Sequence, residues 1–195
     1  MPEGSKSSGF DIVAIAASAG GLKALGTVLG GLPSGFPAPV IVIQHLDPRH
    51  RSLMADILSR RTALTVKQAE IGDVVATGTV YVAPPNNHLL VDSVGSLSLT
   101  QTELVHFVRP SADLLFESVA AGYKDRAIAV VLTGTGSDGS MGVRAIKKMG
   151  GTVIAQDEAA EFFGMPSAAI DTGNVDFVLP LDEIAPAIVK LIQAT

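Results

Sequence analysis

The chain has 195 residues, with 14 Lys and Arg against 19 Asp and Glu, a net charge of −5, four histidines and no cysteine. This length fits one domain able to bury about 70% of the surface its unfolded chain would expose, and the missing cysteines exclude disulfides, thiolate metal sites and a cysteine nucleophile. The acidic balance argues against a nucleic-acid partner, which would be gripped at its phosphates by clustered Lys and Arg, and no run of about 18 apolar residues predicts a membrane span.

Residues 1–9, rich in Ser, Gly and Lys, predict a disordered tail with nothing to bury. No signal core follows them, so the expected compartment is the cytoplasm. A single domain is expected over 10–195. Within it, Val- and Ile-rich strands are predicted at 11–17, 39–45, 127–132, 152–156 and 175–179, alternating with helices at 21–30, 49–60, 111–122, 139–149 and 182–193. That alternation predicts an α/β fold, doubly wound, with a mostly parallel sheet and helices on both faces. In the middle, TVYVAP, NHLLVD and SLSLTQ alternate apolar and polar residues between PPN and SVG, and predict a small antiparallel hairpin or meander inserted in the body. The basic stretches at 49–51, 60–61 and 147–148 read as solvated helix faces.

Three residues stand where predicted strands run out into loops. Ser18 ends DIVAIAAS, His45 ends VIVIQH, and Asp138 lies in TGTGSDG just after AIAVVL. Strand ends of one polarity share an edge of a parallel sheet, so these loops are expected to meet. A serine, a histidine and a carboxylate converging there point to nucleophilic acyl transfer.

AASAGG resembles the nucleophile elbow G-x-S-x-G with Ala16 in place of the first glycine. A strand turning sharply into a helix requires small neighbours, which Ala17, Ala19, Gly20 and Gly21 supply, and the helix start offers backbone N–H groups to an oxyanion. The same serine also fits a plain helix N-cap after a buried strand. Of the histidines, only His45 directly ends a buried-type strand. His50 is placed on an exposed helix start, His88 opens a hairpin strand, and His106 precedes FVRPS, where a substrate contact and an ordinary loop role are equally open. No H-x-x-x-H or paired His/carboxylate spacing suggests a metal.

Asp138 competes with another reading of the same loop. Gly134, Gly136 and Gly139 fit the dinucleotide fingerprint G-x-G-x-x-G, follow a strand, open a helix, and have Asp157 after the next strand. A carboxylate inside that turn would repel a pyrophosphate, and the fingerprint leaves Ser18 and His45 without a purpose.

Taken in order, IAASAGG, VIVIQHLDP, YVAPPNNHLLV, VRPSADLLFESVA, VVLTGTGSDGSMG and AQDEAAEFFGMPSAAI resemble the catalytic domain of the chemotaxis receptor methylesterases, the CheB-type protein-glutamate methylesterases, over nearly all of residues 11–193. The resemblance implies Ser18 as nucleophile, His45 as general base and Asp138 as the carboxylate orienting it. It implies oxyanion or substrate-binding N–H groups among Ala19, Gly20, Thr135, Gly136 and the neighbourhood of His45, and it implies no metal and no organic cofactor. The implied substrate is a glutamyl methyl ester on the cytoplasmic helical bundle of a chemoreceptor, with deamidation of selected glutamines as a second activity. Ala19, Thr135 and Ser167 depart from the Thr, Met and basic residue common in the family, which bears on substrate affinity. Family members often carry an N-terminal receiver domain, and this sequence contains none, so an isolated or free-standing catalytic domain regulated otherwise is expected. A nucleotide-binding module using the GTGSDG loop and a non-catalytic adaptor on the same fold are the alternatives.

Overall fold

The uncharged runs IVAIAA, VIVIQ and AIAVV are buried along their whole length, as expected of central strands covered on both faces. They are β1 (Ile12–Ala17), β2 (Val40–Gln44) and β7 (Ala127–Val131) of a seven-stranded sheet. The structure, a computed structural model, describes residues 9–47, 49 and 52–194. The predicted tail up to Ser8, together with His50 and most of the basic stretch at 49–51, lies outside the described residues.

The remaining sheet strands are β3 (Thr65–Gln68), β4 (Thr79–Val82), β8 (Thr152–Gln156) and β9 (Phe177–Leu179), and the spatial order is β3-β4-β2-β1-β7-β8-β9. Every pairing in it is parallel. Strands β5 (His88–Val91) and β6 (Leu97–Thr100) form a separate antiparallel pair. The helices are α1 (Gly21–Gly30), α2 (Met54–Ser59), α3 (Ala112–Tyr123), α4 (Ser140–Lys148), α5 (Gly164–Asp171) and α6 (Leu181–Gln193). On one side of β1 lie β2, β4 and then the edge strand β3, which the chain forms before returning to β4; on the other side it runs outward through β7, β8 and β9. The order therefore reverses beside β1, where ligands of open α/β sheets bind.

Alternate residues of β1 serve the two faces. Ile12, Ala14 and Ala16 join Leu115, Phe116, Val143, Ile146 and Met165 in one core, and Val13, Ile15 and Ala17 join Leu25, Leu29, Leu58, Ile184 and Ile188 in the other. Each fully buried Leu, Ile or Phe side chain contributes about 1.5–3 kcal/mol.

Three differences from the sequence reading have physical causes. TVYVAP belongs to the parallel sheet, because Val80 and Val82 register against Val40 and Val42, so only NHLLVD and SLSLTQ form the antiparallel insertion. Strand β3 was not predicted, since Thr65, Lys67 and Gln68 make it a polar edge with only β4 beside it. Helix α5 was not predicted either: Pro166 is a poor helix signal, yet it sits in the first turn, where no intrahelical N–H is needed. Over the stretch predicted as a helix at 49–60, the described residues form helix only at Met54–Ser59.

Candidate active site

The parallel register that pairs Ala17 with Gln44 brings Ser18 and His45 to adjacent positions at the carboxyl edge. The His45 N–H donates to Ala17 O at 3.2 Å and the Ser18 N–H to Thr133 O at 2.9 Å, so the serine is braced by both neighbouring strands. Gln44 adds a second brace: its Nε2 donates to Ser18 O at 2.7 Å and His45 O at 3.1 Å. The turn after Ser18 leaves no room. Gly20 has φ 75°, and a Cβ on Gly21 would lie 1.9 Å from Gln44 Oε1 and 2.9 Å from Ala17 Cβ, which favours glycine at both positions.

Asp138 receives four donors. Its Oδ2 lies 2.8 Å from His45 Nε2 and accepts the Ala112 N–H at 2.6 Å, while its Oδ1 accepts the Ser111 hydroxyl at 3.0 Å and the Asp113 N–H at 3.1 Å. Ser111 is the N-cap of α3, so the start of that helix holds the carboxylate, where backbone donors and the helix dipole favour negative charge. The arrangement is reciprocal. Asp113, in the first turn of α3, accepts the Gly139 and Gly142 N–H groups at 3.0 and 2.8 Å, which belong to the start of α4 just after Asp138. Each helix start is capped by the acid of the other.

The two carboxyls differ in charge preference. Burial alone would raise Asp138, but the His45 contact and the Ala112 and Asp113 N–H groups outweigh it and hold the carboxyl below its ordinary value. Burial dominates at Asp113, the neighbouring Asp138 charge adds to it, and that carboxyl is raised. Its Oδ2 has no hydrogen-bond donor, His106 Nε2 lying 3.1 Å away without hydrogen-bond alignment. A raised folded value means that stability is greatest below the unfolded value near 3.8 and falls as pH rises through the folded value. Asp113→Asn keeps the acceptor toward Gly139 and Gly142 and removes that penalty. The expected result is a gain in urea resistance at pH 7 that shrinks toward zero near pH 4, measured by denaturation at both pH values; a uniform loss would refute it.

With Asp138 ionised, His45 Nε2 carries the proton that faces it, and Nδ1 is left as an acceptor. This is the reverse of the usual serine-protease ring orientation, in which Nδ1–H faces the carboxylate. Ser18, His45 and Asp138 line one cavity of about 320 Å³ together with Thr135, Gly136, Ser137, His106, Phe107 and Val108. Among the described residues the Ser18 hydroxyl makes no hydrogen bond, so its rotamer is not committed to another acceptor. The N–H groups of Ala19, Gly20, Thr135 and Gly136 likewise have no acceptor among the described residues. Thr135 and Gly136 share the cavity with the three residues. Gly20 lines a separate groove that Ser18 also borders, with Lys23, Gln44, Met54, Arg61 and Glu161, and Ala19 lines neither.

The fingerprint-like loop does not form a phosphate cradle. The Gly134 N–H is taken by Phe162 O at 2.9 Å, and the α4 start that would receive a pyrophosphate is filled by the Asp113 carboxylate. Asp157 accepts the Ala159 N–H within its own turn.

Four residues of the site were not singled out from sequence as parts of it. Gln44 lies inside the strand predicted at 39–45 and carries no signal of its own. Ser111 and Asp113 form S-A-D before an apolar run, a readable N-cap signal, but nothing in that signal says that the cap also holds a carboxylate 27 residues away. His88 is fully buried, accepts the Ser111 N–H on Nδ1 at 3.1 Å and therefore donates from Nε2 to Glu103 O at 2.9 Å. It fixes the backbone of Ser111 rather than meeting a substrate.

Known proteins place this geometry. The CheB methylesterase family model matches residues 13–188. A relative in Leptospira interrogans is 40% identical over 185 residues, 94% of this chain and 96% of its own length. The protein-glutamate methylesterase/protein-glutamine glutaminase of Geobacillus kaustophilus is 46% identical over 186 residues, and there the chain spans 53% of the relative. The crystal structure of the Thermotoga maritima CheB methylesterase catalytic domain superposes with a TM-score of 0.90 at 39% identity, over 94% of this chain and 99% of that one. With the strand-end serine, histidine and aspartate gathered in one cavity of that shared fold, this chain belongs to the CheB methylesterase family.

Proposed function

We propose that this chain is a serine hydrolase that removes methyl groups from glutamyl methyl esters of a protein, with residues 10–195 as its catalytic domain and Ser18, His45 and Asp138 as its catalytic residues. The observation that carries the reading is the His45 Nε2 to Asp138 Oδ2 contact of 2.8 Å inside the cavity that Ser18 also lines. Ser18 Oγ attacks the ester carbonyl while His45 Nδ1 takes its proton, and Asp138 stabilises the imidazolium. The N–H groups of Thr135 and Gly136, residues of the cavity lining, are the donors assigned to the developing oxyanion, with Ala19, one residue past the nucleophile, as a further candidate. Collapse of the tetrahedral adduct expels methanol, protonated by His45. Water, deprotonated by the same ring, then releases the glutamate side chain and restores Ser18.

An amide in place of the ester passes through the same adduct with ammonia as the leaving group, so selected glutamines are deamidated by the same residues. The substrate is the methylated cytoplasmic helical bundle of a chemoreceptor, which places the enzyme in the cytoplasm; no described helix is long and apolar enough to cross a membrane. No metal or organic cofactor enters any step. Leu46, and Glu161 just before α5, line the groove that Ser18 also borders and would meet the receptor; Pro48, His50 and Arg51 lie outside the described residues.

A fluorophosphonate probe tests the reading, because only an activated serine reacts rapidly with it. Mass spectrometry of the treated protein is expected to find the adduct on Ser18. Absence of labelling would favour a non-catalytic adaptor on the same fold, and saturable binding of NAD or ATP without labelling would favour a nucleotide-binding module.

A further inference from the structure

We propose that Phe107 is the specificity-determining residue of this site, the ring against which an apolar stretch of the protein substrate packs while its ester enters the cavity. The inference rests on the methylesterase reading above. Val105 and Val108 exchange both of their backbone hydrogen bonds, at 3.1 and 2.9 Å, and close a two-residue turn at His106 and Phe107. Both residues have positive φ, 49° and 65°. That is the left-handed region which glycine and asparagine occupy readily and a bulky aromatic does not. The turn is anchored on its inner side, where His106 Nε2 lies 3.1 Å from the buried Asp113 carboxylate.

Phe107 itself is 94% exposed, the highest value among the exposed large apolar residues. The ring thus lacks packing within the fold and occupies a backbone conformation that penalises it, so its benefit must come from something outside the chain. Its position says what. Phe107 and Val108 line the same cavity as Ser18, His45 and Asp138, and a carbonyl that reaches Ser18 through this opening passes the ring. The occupant offering an apolar contact there is the protein segment around the modified glutamyl side chain, not a small free ester.

Phe107→Asn is the test, since asparagine suits the left-handed turn and removes the aromatic surface. The expected result is an unchanged or higher Tm, a KM for a methylated chemoreceptor cytoplasmic fragment raised about tenfold with kcat retained, and a clearly smaller loss on p-nitrophenyl acetate. Phe107→Tyr is expected to keep KM near the wild-type value. An unchanged KM for Phe107→Asn would overturn the assignment, as would equal losses on both substrates, which would mean that the turn shapes the catalytic groups instead. If wild type hydrolyses p-nitrophenyl acetate but releases no methanol from the receptor fragment, the methylesterase reading falls and takes this inference with it.

Discussion

Ser18→Ala is expected to lower methanol release from methylated receptor by about three to six orders of magnitude, as for other serine-triad knockouts. The fold should not notice the change. The Ser18 hydroxyl makes no hydrogen bond among the described residues, while its backbone N–H and carbonyl are held by Thr133, Gly21 and Gln44. The variant should therefore melt with wild type and still bind methylated receptor, with the oxyanion donors supplying whatever rate remains. Single-turnover methanol assays on the purified variant check it. Retention of more than a tenth of the activity would remove Ser18 from the nucleophile role.

Asp138→Asn is expected to act on activity and stability together. Loss of the carboxylate removes the acceptor that fixes the His45 tautomer, for which a fall of about 10³–10⁴-fold in kcat is expected by analogy with the same change in other triads. The same carboxylate satisfies Ser111, Ala112, Asp113 and His45. An amide has one acceptor oxygen and turns two donors toward that set, so a loss of about 2–4 kcal/mol of folding stability is expected. The sign of its pH dependence follows from the lowered value of the buried acid. A depressed folded pKa contributes stability that is fully present above the unfolded value near 3.8 and disappears as pH falls through the folded value. Denaturation curves of wild type and variant should converge in strong acid, opposite in sense to the behaviour expected for Asp113→Asn. Curves that stay parallel down to pH 2 would refute the assignment of stability to this charge.

The sheet was legible because its central strands, β1, β2 and β7, are uncharged, buried on both faces and bounded by glycine or proline turns. The edges were less so. Strand β3 carries Lys67 and Gln68 and has a partner on one side only, so burial does not impose an apolar pattern on it. Strand β4 alternates like a hairpin strand, and only its register against Val40 and Val42 reveals where it belongs.

The site divides in the same way. Ser18, His45 and Asp138 could be read because each follows a strong strand and one topological rule sends such ends to a common edge. Asp113, Ser111 and His88 act through contacts that cross 23 to 29 residues of chain. No local pattern encodes which helix start a carboxyl group will cap. The glycine fingerprint, already disfavoured by the carboxylate inside it, fails for a related reason: its spacing matches a phosphate loop, but an acid from another helix fills the space.

The ring orientation of His45 has a cost in tolerance. With the outer nitrogen spent on Asp138, the proposed proton transfer falls to the inner one, a single bond from the carbon that joins the ring to its stem. A ring held at its far nitrogen by Asp138 has little freedom to turn, and side-chain rotation can do little to correct the aim of the inner one. Alignment of the proposed attack thus depends on the spacing of two neighbouring strands, which the Gln44 amide clamps at their tips. Anything that spreads those tips by a fraction of an ångström should blunt the enzyme before it loosens the fold.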